Sequence, residues 1–339
     1  VLLIQYVDGA KELLKIGTNG VGANGNGLSA PRLVDINGDK IPDVAYAGDM
    51  LGNLWKFDLT DKTASNWSVA FSGTPLYVAK DVYSVRQPIT TAPGWLFHPN
   101  GGIMVAVGTG RNITVADRTN DQVQTLYGIY DPTGVSGPPT TNALTGSTTI
   151  SLDNTNNAVT TGRSELVEQT VSSASTAIAA NGDPLWTVSH NPVPYSGVGA
   201  KKGWYMELPV NREAAVKNMN WVQGLLFGIP TRAPDVGGDP TVESCEPTGS
   251  EGNRYFTILN IINGSPPSYQ IFAQLDSGGN VMLNDTGNKN NRLQTDGESA
   301  LVMGVDDDKK NLCPPGVTCS TPPLPGSPLR LWPTWRQVQ

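Results

Sequence analysis

Oxygen-bearing side chains stand at positions 1, 3, 5 and 9 of a short stretch near the start of the chain. Residues 35–43 read Asp-Ile-Asn-Gly-Asp-Lys-Ile-Pro-Asp. Calcium takes six to eight oxygen ligands at about 2.3–2.6 Å, and alternate acidic or amide residues direct several of them at one point. We therefore predict a Ca²⁺ loop. Its expected ligands are four side chains and one backbone carbonyl, namely Asp35, Asn37, Asp39, Asp43 and the carbonyl of Ile41.

The loop differs from an EF-hand loop at two positions. Position 12, where an EF-hand has a bidentate Glu, is Tyr46, and position 6, where it has Gly for a sharp turn, is Lys40. The flanks 33–34 and 44–47 carry small, apolar and aromatic residues typical of strands rather than helices. An Asx-rich hairpin turn without metal is the alternative, because Asn, Asp and Gly are also ordinary turn residues.

Composition favours many short elements. The 339 residues include 38 Gly and 26 Pro, which indicates strands joined by turns, and only about residues 211–219 suggest a helical turn. A small-residue strand, a turn and an apolar-aromatic strand ending in Asp recur in 45–58 and 105–131. Because the apolar face of each unit must be covered by its neighbours, we predict an all-β fold, a modified β-propeller. A pair of β-sandwiches is the structural alternative.

Several classes of function are disfavoured. The net charge is −7 with basic residues scattered along the chain, which gives no footprint for nucleic acid or an anionic membrane. No apolar run reaches the roughly 18 residues that a membrane span requires. Residues 108–111, Gly-Thr-Gly-Arg, lack the ending of a phosphate loop, and no nucleophile and base pair is evident. We expect no enzyme, and no catalytic or cofactor-binding residues.

The hairpin after the calcium loop carries two further acids. We expect Asp49 and Asp58 to bond nearby backbone amides rather than to act in catalysis. Aromatic residues at alternating strand positions are expected in the core, and these are Trp55, Phe57, Trp95, Trp204 and Trp221.

The rest of the chain gives weaker signals. Residues 133–184 form a Ser/Thr-rich excursion, in which 165–170 is expected to dock on the barrel, and 313–339 form a Pro-rich tail. If the protein is secreted, Cys313 and Cys319 are expected to close a small loop and leave Cys245 over. The first residues read as a strand, which suggests a fragment of a longer precursor whose upstream segment packs against it.

Several segments resemble one family in the family's order. They are the calcium loop with its Tyr-Ala-Gly-Asp hairpin at 46–49, then 107–111, 124–131, 163–170, 202–209 and the closing 335–338. This pattern is similar to the C-terminal domain of the PilC/PilY family, the calcium-dependent adhesins and assembly factors of bacterial type IV pili.

The resemblance implies a modified seven-bladed propeller, of which this chain covers part. It also implies a role in pilus biogenesis, twitching motility, virulence and attachment to host cells or abiotic surfaces. Minor and major pilins at the pilus tip are the implied partners, and the implied location is extracellular, at the pilus tip and outer-membrane surface. Two rivals remain. Residues 52–58 superficially resemble a quinoprotein-like propeller dehydrogenase, and the acidic loop resembles an integrin-α-like calcium propeller, which typically repeats such a loop.

Overall fold

The structure, a computed structural model, describes residues 1–5, 8–15, 26–136, 143–145, 163–172, 185–234, 252–267, 274–275, 281–282, 290–295, 304–305 and 312–313. The strands in chain order are β1 Leu2–Gln5, β2 Lys11–Leu14, β3 Arg32–Val34, β4 Val44–Gly48, β5 Asn53–Asp58, β6 Ser68–Val69, β7 Tyr77–Val78, β8 Gly94–Phe97, β9 Ile103–Gly108, β10 Thr125–Asp131, β11 Gly134–Ser136, β12 Ala143–Thr145, β13 Val167–Gln169, β14 Leu185–Trp186, β15 Gly203–Glu207, β16 Asn220–Gln223, β17 Leu226–Ala233, β18 Asn253–Asn260, β19 Gln274–Leu275, β20 Val281–Met282, β21 Arg292–Thr295, β22 Gly304–Val305 and β23 Leu312–Cys313. Helical segments are single turns at Ala64–Asn66, Ala70–Gly73, Val115–Thr119 and Arg163–Glu165.

Three sheets form the body of the described structure. Blade 1 has the order β3-β4-β5-β6, with β7 also pairing with β5. Blade 2 has the order β8-β9-β10-β15-β13, and blade 3 the order β16-β17-β18-β21-β14. Neighbouring strands are antiparallel except β13 and β15, which are parallel. The all-β prediction is confirmed, and the described sheets do not close a ring, which agrees with part of a propeller.

The sheets stack face to face because their strands are apolar on both sides. Along β4, Val44 and Tyr46 pack toward blade 2, while Ala45 and Ala47 pack toward the β1-β2 hairpin. Along β9 the same alternation puts Val105 against blade 1 and its neighbours against blade 3. Since successive strand side chains point to opposite faces, a run of apolar residues is what a strand buried on both sides requires.

The first two blades contain the same kind of hairpin, as the recurring sequence pattern predicted. Val44 pairs with Asp58 in blade 1, and Ile103 pairs with Asp131 in blade 2, so both hairpins end on an Asp at the same position. Each Asp accepts hydrogen bonds from the amide and hydroxyl of the Thr two residues later. The sequence pattern predicts the hairpins, and the structure adds that both end in the same Asp-x-Thr turn.

A buried ion pair joins the two blades through the second of these acids. Lys56 Nζ lies 2.6 Å from Asp131 Oδ2, and both side chains are fully buried. The Tyr46 hydroxyl donates to the same oxygen at 2.7 Å, and Lys56 Nζ also donates to the Thr133 hydroxyl. Removing one partner from such a pair typically costs about 3–5 kcal/mol, because the remaining charge is left buried and uncompensated.

Two sequence expectations are wrong. Residues 211–219 form no helix, since Arg212 has a left-handed φ of 63° and Ala214 forms an isolated β-bridge with Arg232. Of the five aromatic residues expected in the core, Trp55, Phe57 and Trp204 are buried. Trp221, by contrast, is exposed, with its indole N–H donating to the Gly224 carbonyl.

Residues 163–172 of the excursion at 133–184 are described, and this part joins the sheet of blade 2. Val167–Gln169 extends blade 2 as an edge strand, and Leu166 beside it is buried in the core, so the expected docking of 165–170 is confirmed. Cys245, Cys319 and residues 314–339 lie outside the described residues, as does the side chain of Cys313.

Candidate metal site

The predicted calcium loop connects β3 to β4 at one end of blade 1. Val34 and Val44 pair across its base, and the Asp43 amide donates to the Val34 carbonyl at 2.9 Å. Asp43 itself is buried, whereas Asn37 is exposed and Ile41 is exposed at the tip. The loop therefore stands on a fixed strand pair, with one acid in the base and the others closer to solvent.

Each oxygen-bearing side chain of the loop also orders its backbone. Asp35 accepts the amides of Gly38 and Lys40, both at 2.7 Å. Asp43 accepts the amides of Ile36 and Asn37 at 2.6 and 3.2 Å. Asn37 and Asp39 each accept the amide two residues ahead, at 2.9 and 2.8 Å. The loop is thus a series of Asx turns, which is the chemistry of the metal-free alternative as well.

Three side chains nevertheless converge beyond these local bonds. The Asn37 Nδ2 atom donates to Asp39 Oδ2 at 3.3 Å and to Asp43 Oδ1 at 3.4 Å. Burial raises the pKa of Asp43, the amides of Ile36 and Asn37 oppose that rise, and repulsion from Asp39 and Asp35 adds to it. An amide group with partial positive charge therefore bridges two carboxylates, in a place where a cation would relieve their repulsion.

The backbone turn at position 6 resembles that of an EF-hand. Lys40 has a φ of 72°, the left-handed conformation for which an EF-hand uses Gly, and Gly38 has a φ of 80°. The side chain of Lys40 is exposed, so its charge stays in solvent. Lys40 in place of Gly at position 6 therefore adds backbone strain to the loop but leaves its turn unchanged.

The donor set suits calcium, but the described arrangement is not a completed cage. In the described part of the chain, no three carboxylate, imidazole or thiolate groups come together as a metal-holding cluster. Three carboxylates, one amide oxygen and one carbonyl are all hard oxygen donors, which calcium prefers. Holding the ion would require Asn37 to turn its amide oxygen inward and the carboxylates to exchange amide contacts for the cation.

A second acidic turn lies at the other end of β4. Asp49 is buried, and its Oδ1 accepts the amides of Leu51 and Asn53, both at 2.9 Å. Its Oδ2 accepts three side-chain donors, from Asn53 at 2.7 Å, Trp55 at 2.8 Å and Asn26 at 3.0 Å. The prediction that Asp49 bonds nearby amides is confirmed, and the contacts with Trp55 and Asn26 were not foreseen.

The fold described above indicates the structural class of the protein. Stacked, mainly antiparallel sheets of four or five strands, joined by loops at both ends, are the architecture of a β-propeller domain. In the part of the chain that the structure describes, no helical segment has the length or apolar character to cross a bilayer.

Comparison with known proteins identifies the family. Residues 2–162 match the PilY1 beta-propeller domain. The chain is 35% identical over 236 residues to "Type IV pilus biogenesis factor PilY1" of Pseudomonas aeruginosa PAO1, covering 62% of this chain and 19% of that protein. The homologue in strain UCBPP-PA14 is 29% identical over 336 residues, covering 87% and 26%. The chain belongs to the PilC/PilY family and corresponds to its C-terminal domain.

A solved structure supports the same assignment. The crystal structure of the Pseudomonas aeruginosa PilY1 C-terminal domain matches with a TM-score of 0.61 and 28% identity, covering 82% of this chain and 57% of that one. A PilY1 homologue of Xylella fastidiosa is 28% identical over 295 residues, covering 84% of this chain and 18% of its own length. The chain thus spans about a fifth to a quarter of the curated relatives it matches.

Proposed function

We propose that this chain is the calcium-binding propeller region of a type IV pilus biogenesis factor that supports pilus assembly, twitching motility and attachment. Membership of the family supports the pilus role, because the curated relatives carry the name "Type IV pilus biogenesis factor PilY1". The role is binding rather than catalysis, and its place is the extracellular pilus tip and outer-membrane surface. Pilins and host-cell or abiotic surfaces are the partners.

The observation that carries the calcium part of this proposal is the convergence of Asn37, Asp39 and Asp43. The side chains of Asp35, Asn37, Asp39 and Asp43 and the carbonyl of Ile41 would hold the ion, and water would complete its shell. Bound calcium supplies positive charge among three carboxylates that otherwise repel one another. It would stiffen the connection between β3 and β4 and so the edge of blade 1.

An upstream segment of the same precursor is a further proposed partner. The β1-β2 hairpin buries Leu2 and Leu14 against blade 1, while the paired Leu3 and Leu13 on its other face are exposed. A propeller blade is apolar on both faces because a neighbour covers each one. A preceding blade of the precursor would therefore cover Leu3 and Leu13.

Calorimetric titration of the chain with calcium tests the proposal. We expect binding with a Kd in the broad range of about 10⁻⁷ to 10⁻³ M, which Asp39→Asn abolishes because a carboxylate ligand is lost. Asp61→Asn is the matched control. Asp61 accepts the amide of Thr63 two residues ahead, as Asp39 accepts that of Ile41, but it lies outside the loop. Equal affinities for both variants would refute the ligand assignment.

The pilus role is tested separately in the bacterium that encodes the chain. Removing the region that corresponds to residues 1–339 from the chromosomal gene should reduce surface pili and twitching zones. Asp39→Asn in the same gene should reduce surface pili and twitching zones only to the extent that they depend on bound calcium. Normal piliation and motility in the deletion strain would refute the biogenesis role.

A further inference from the structure

Two loops at the end of the blades opposite the calcium loop project large apolar side chains into solvent. The side chains are Val82, 62% exposed, Tyr83, 83%, and Val85, 54%, on loop 81–86, with Ile113, 66%, and Val115, 51%, on loop 111–119. Single exposed apolar residues are ordinary on protein surfaces, but a group of them on adjacent loops indicates an interaction site.

The strand register places both loops at the same end. Strand β4 runs from the calcium loop to Asp49, and the Ile89 amide, just after the first loop, donates to the Asp49 carbonyl. The second loop leaves β9 after Gly108 and returns at Thr125, whose hydroxyl accepts Gln87 Nε2 at 2.8 Å. The two loops are therefore neighbours, on the side of the blades away from residues 35–43.

The apolar tips are held in fixed positions by buried acids. Asp81 Oδ1 accepts the amides of Tyr83 and Val85, both at 2.9 Å. Asp117 holds the second loop, accepting the amides of Ile113 and Thr114 at 2.9 and 2.7 Å. Because these loops are already ordered, little conformational entropy is lost when their side chains become buried.

One glutamine connects the two loops. Gln122 Nε2 donates to Asp81 Oδ2 at 2.9 Å and to the Arg86 carbonyl at 3.1 Å. Gln87, on the other side, donates to the Val123 carbonyl at 2.7 Å. These bonds join loop 81–86 to the segment that follows loop 111–119.

Arginines surround these tips although the chain as a whole is acidic. Arg86, Arg111 and Arg118 lie on or beside the two loops, and Arg212 pairs with Asp121 at 2.7 Å. Arg232 and Arg254 are partners across β17 and β18. Burial lowers the pKa of Arg232, and repulsion from Arg254 and Arg118 lowers it further. Arg111 is paired with the buried Asp117 at 2.6 Å, as Arg212 is with Asp121. The positive charge of this end therefore comes from Arg86, Arg118, Arg232 and Arg254.

We propose that loops 81–86 and 111–119 form a peripheral surface that binds anionic phospholipid bilayers. Valine, isoleucine and tyrosine tips would enter the headgroup boundary, where tyrosine is favoured, and the arginines would contact phosphates. A lipid surface fits these loops better than a protein does, because separate projecting tips need a surface that deforms around them rather than one of matching shape. The surface lies away from the calcium loop and does not depend on it.

Sedimentation of the chain with unilamellar vesicles, in the presence of a calcium chelator, tests the proposal. We expect the chain to bind phosphatidylcholine vesicles that contain roughly 30 mol% phosphatidylglycerol more tightly than pure phosphatidylcholine vesicles. The double substitution Val82→Asp/Tyr83→Asp should weaken binding by about tenfold or more. Arg118→Glu should weaken it by about fivefold, and raised salt should weaken it further.

Val198→Asp is the matched control, since Val198 is a fully exposed valine in a loop that precedes β15 at the calcium end. It should leave vesicle binding unchanged, and circular dichroism should give the same spectrum and melting temperature for every variant. Absence of binding to the anionic vesicles, or equal weakening by Val198→Asp, would overturn the proposal. Self-association without vesicle binding, lost in the Tyr83 variant, would overturn it in favour of a second copy as partner.

Discussion

Strand β4 has an aspartate-based turn at each end, and the two turns use their carboxylates differently. At one end Asp49 is buried and accepts five hydrogen bonds, so both of its oxygens are satisfied by N–H donors. At the other end Asp35, Asp39 and Asp43 share one short loop and repel one another. Backbone amides donate to the carboxylates of both turns, but only the second turn holds three carboxylates so close that Asp39 and Asp35 raise the pKa of Asp43.

This difference shows why an acidic turn cannot be classified by composition alone. Both turns contain Asp, Asn and Gly, and both use Asx bonds to neighbouring amides. Only the partners beyond the turn distinguish them. For Asp49 these are the side-chain N–H groups of Asn26 and Trp55. Asp43 instead shares the side-chain amide of Asn37, which lies inside the same loop, with Asp39.

The largest effect is expected at the saturated turn. Asp49→Asn replaces one carboxylate oxygen with an NH₂ group, which would face other N–H donors instead of accepting from them. Leaving such donors buried without an acceptor should lower the free energy of unfolding by about 3 kcal/mol or more, as measured by urea denaturation. Asp58 lies at a partly exposed strand end, and its carboxylate accepts the amide and hydroxyl of Thr60. Asp58→Asn should cost about 1 kcal/mol. Equal losses would mean that burial of Asp49 is unimportant.

Calcium should raise the free energy of unfolding by binding the loop at 35–43 and not the turn at Asp49. At a concentration about a hundred times its Kd, a ligand that binds only the folded chain adds about 2.7 kcal/mol to the free energy of unfolding. Thermal melts of the chain with calcium and with a chelator should show this difference. It should vanish in Asp39→Asn and persist in Asp49→Asn, provided that variant still folds. A calcium effect that survives Asp39→Asn would place the ion elsewhere.

Much of the fold could be predicted from the sequence, because hairpins are encoded locally. The recurring pattern in 45–58 and 105–131 predicted two strands joined by a turn in each segment, and the structure has β4, β5, β9 and β10 there. Helix was wrongly expected at 211–219, where the apolar residues make contacts between blades rather than along one helical face. Ala215 and Met219 lie in the core between blades 2 and 3, and their contacts there are with residues distant in sequence, which a local pattern does not reveal.

The loop between β3 and β4 could be predicted for the same reason, since its candidate ligands lie within nine residues, whereas calcium binding there stays a prediction. Contacts between blades were not. Lys56 and Asp131 are distant in sequence, and nothing near either residue indicates its partner. The arginines likewise read as scattered, and only the fold brings Arg118, Arg232 and Arg254 to one end. The Asp-x-Thr pattern shared by 58–60 and 131–133 was the one available signal that these positions correspond.

Calcium affinity should depend on pH through Asp43. Burial raises the pKa of Asp43 above its ordinary value of about 3.9, so the folded loop holds a proton at pH values where an exposed Asp has lost it. Because calcium binds the ionised form, its affinity should fall as pH drops through the raised pKa of Asp43. Without calcium the sign is reversed, and Asp43 stabilises the fold less as pH rises through that window. Calorimetric titrations between pH 7.5 and 4.5 measure this, and a constant affinity throughout would contradict the role of Asp43.

The smallest effect concerns the strain of the calcium loop. Lys40 has a φ of 72°, which costs a residue with a side chain about 1–2 kcal/mol, whereas Gly adopts it freely. Lys40→Gly relieves that strain but adds freedom to the unfolded chain, so the net gain in the free energy of unfolding should be about 0.5–1 kcal/mol. Gly38→Ala is the reciprocal test. At a φ of 80°, and with open space where its Cβ would lie, it should lose about 1 kcal/mol from strain alone. Both changes are measurable by urea denaturation in chelator. If Lys40→Gly destabilises the chain instead, the stem of Lys40 contributes packing that outweighs its strained backbone.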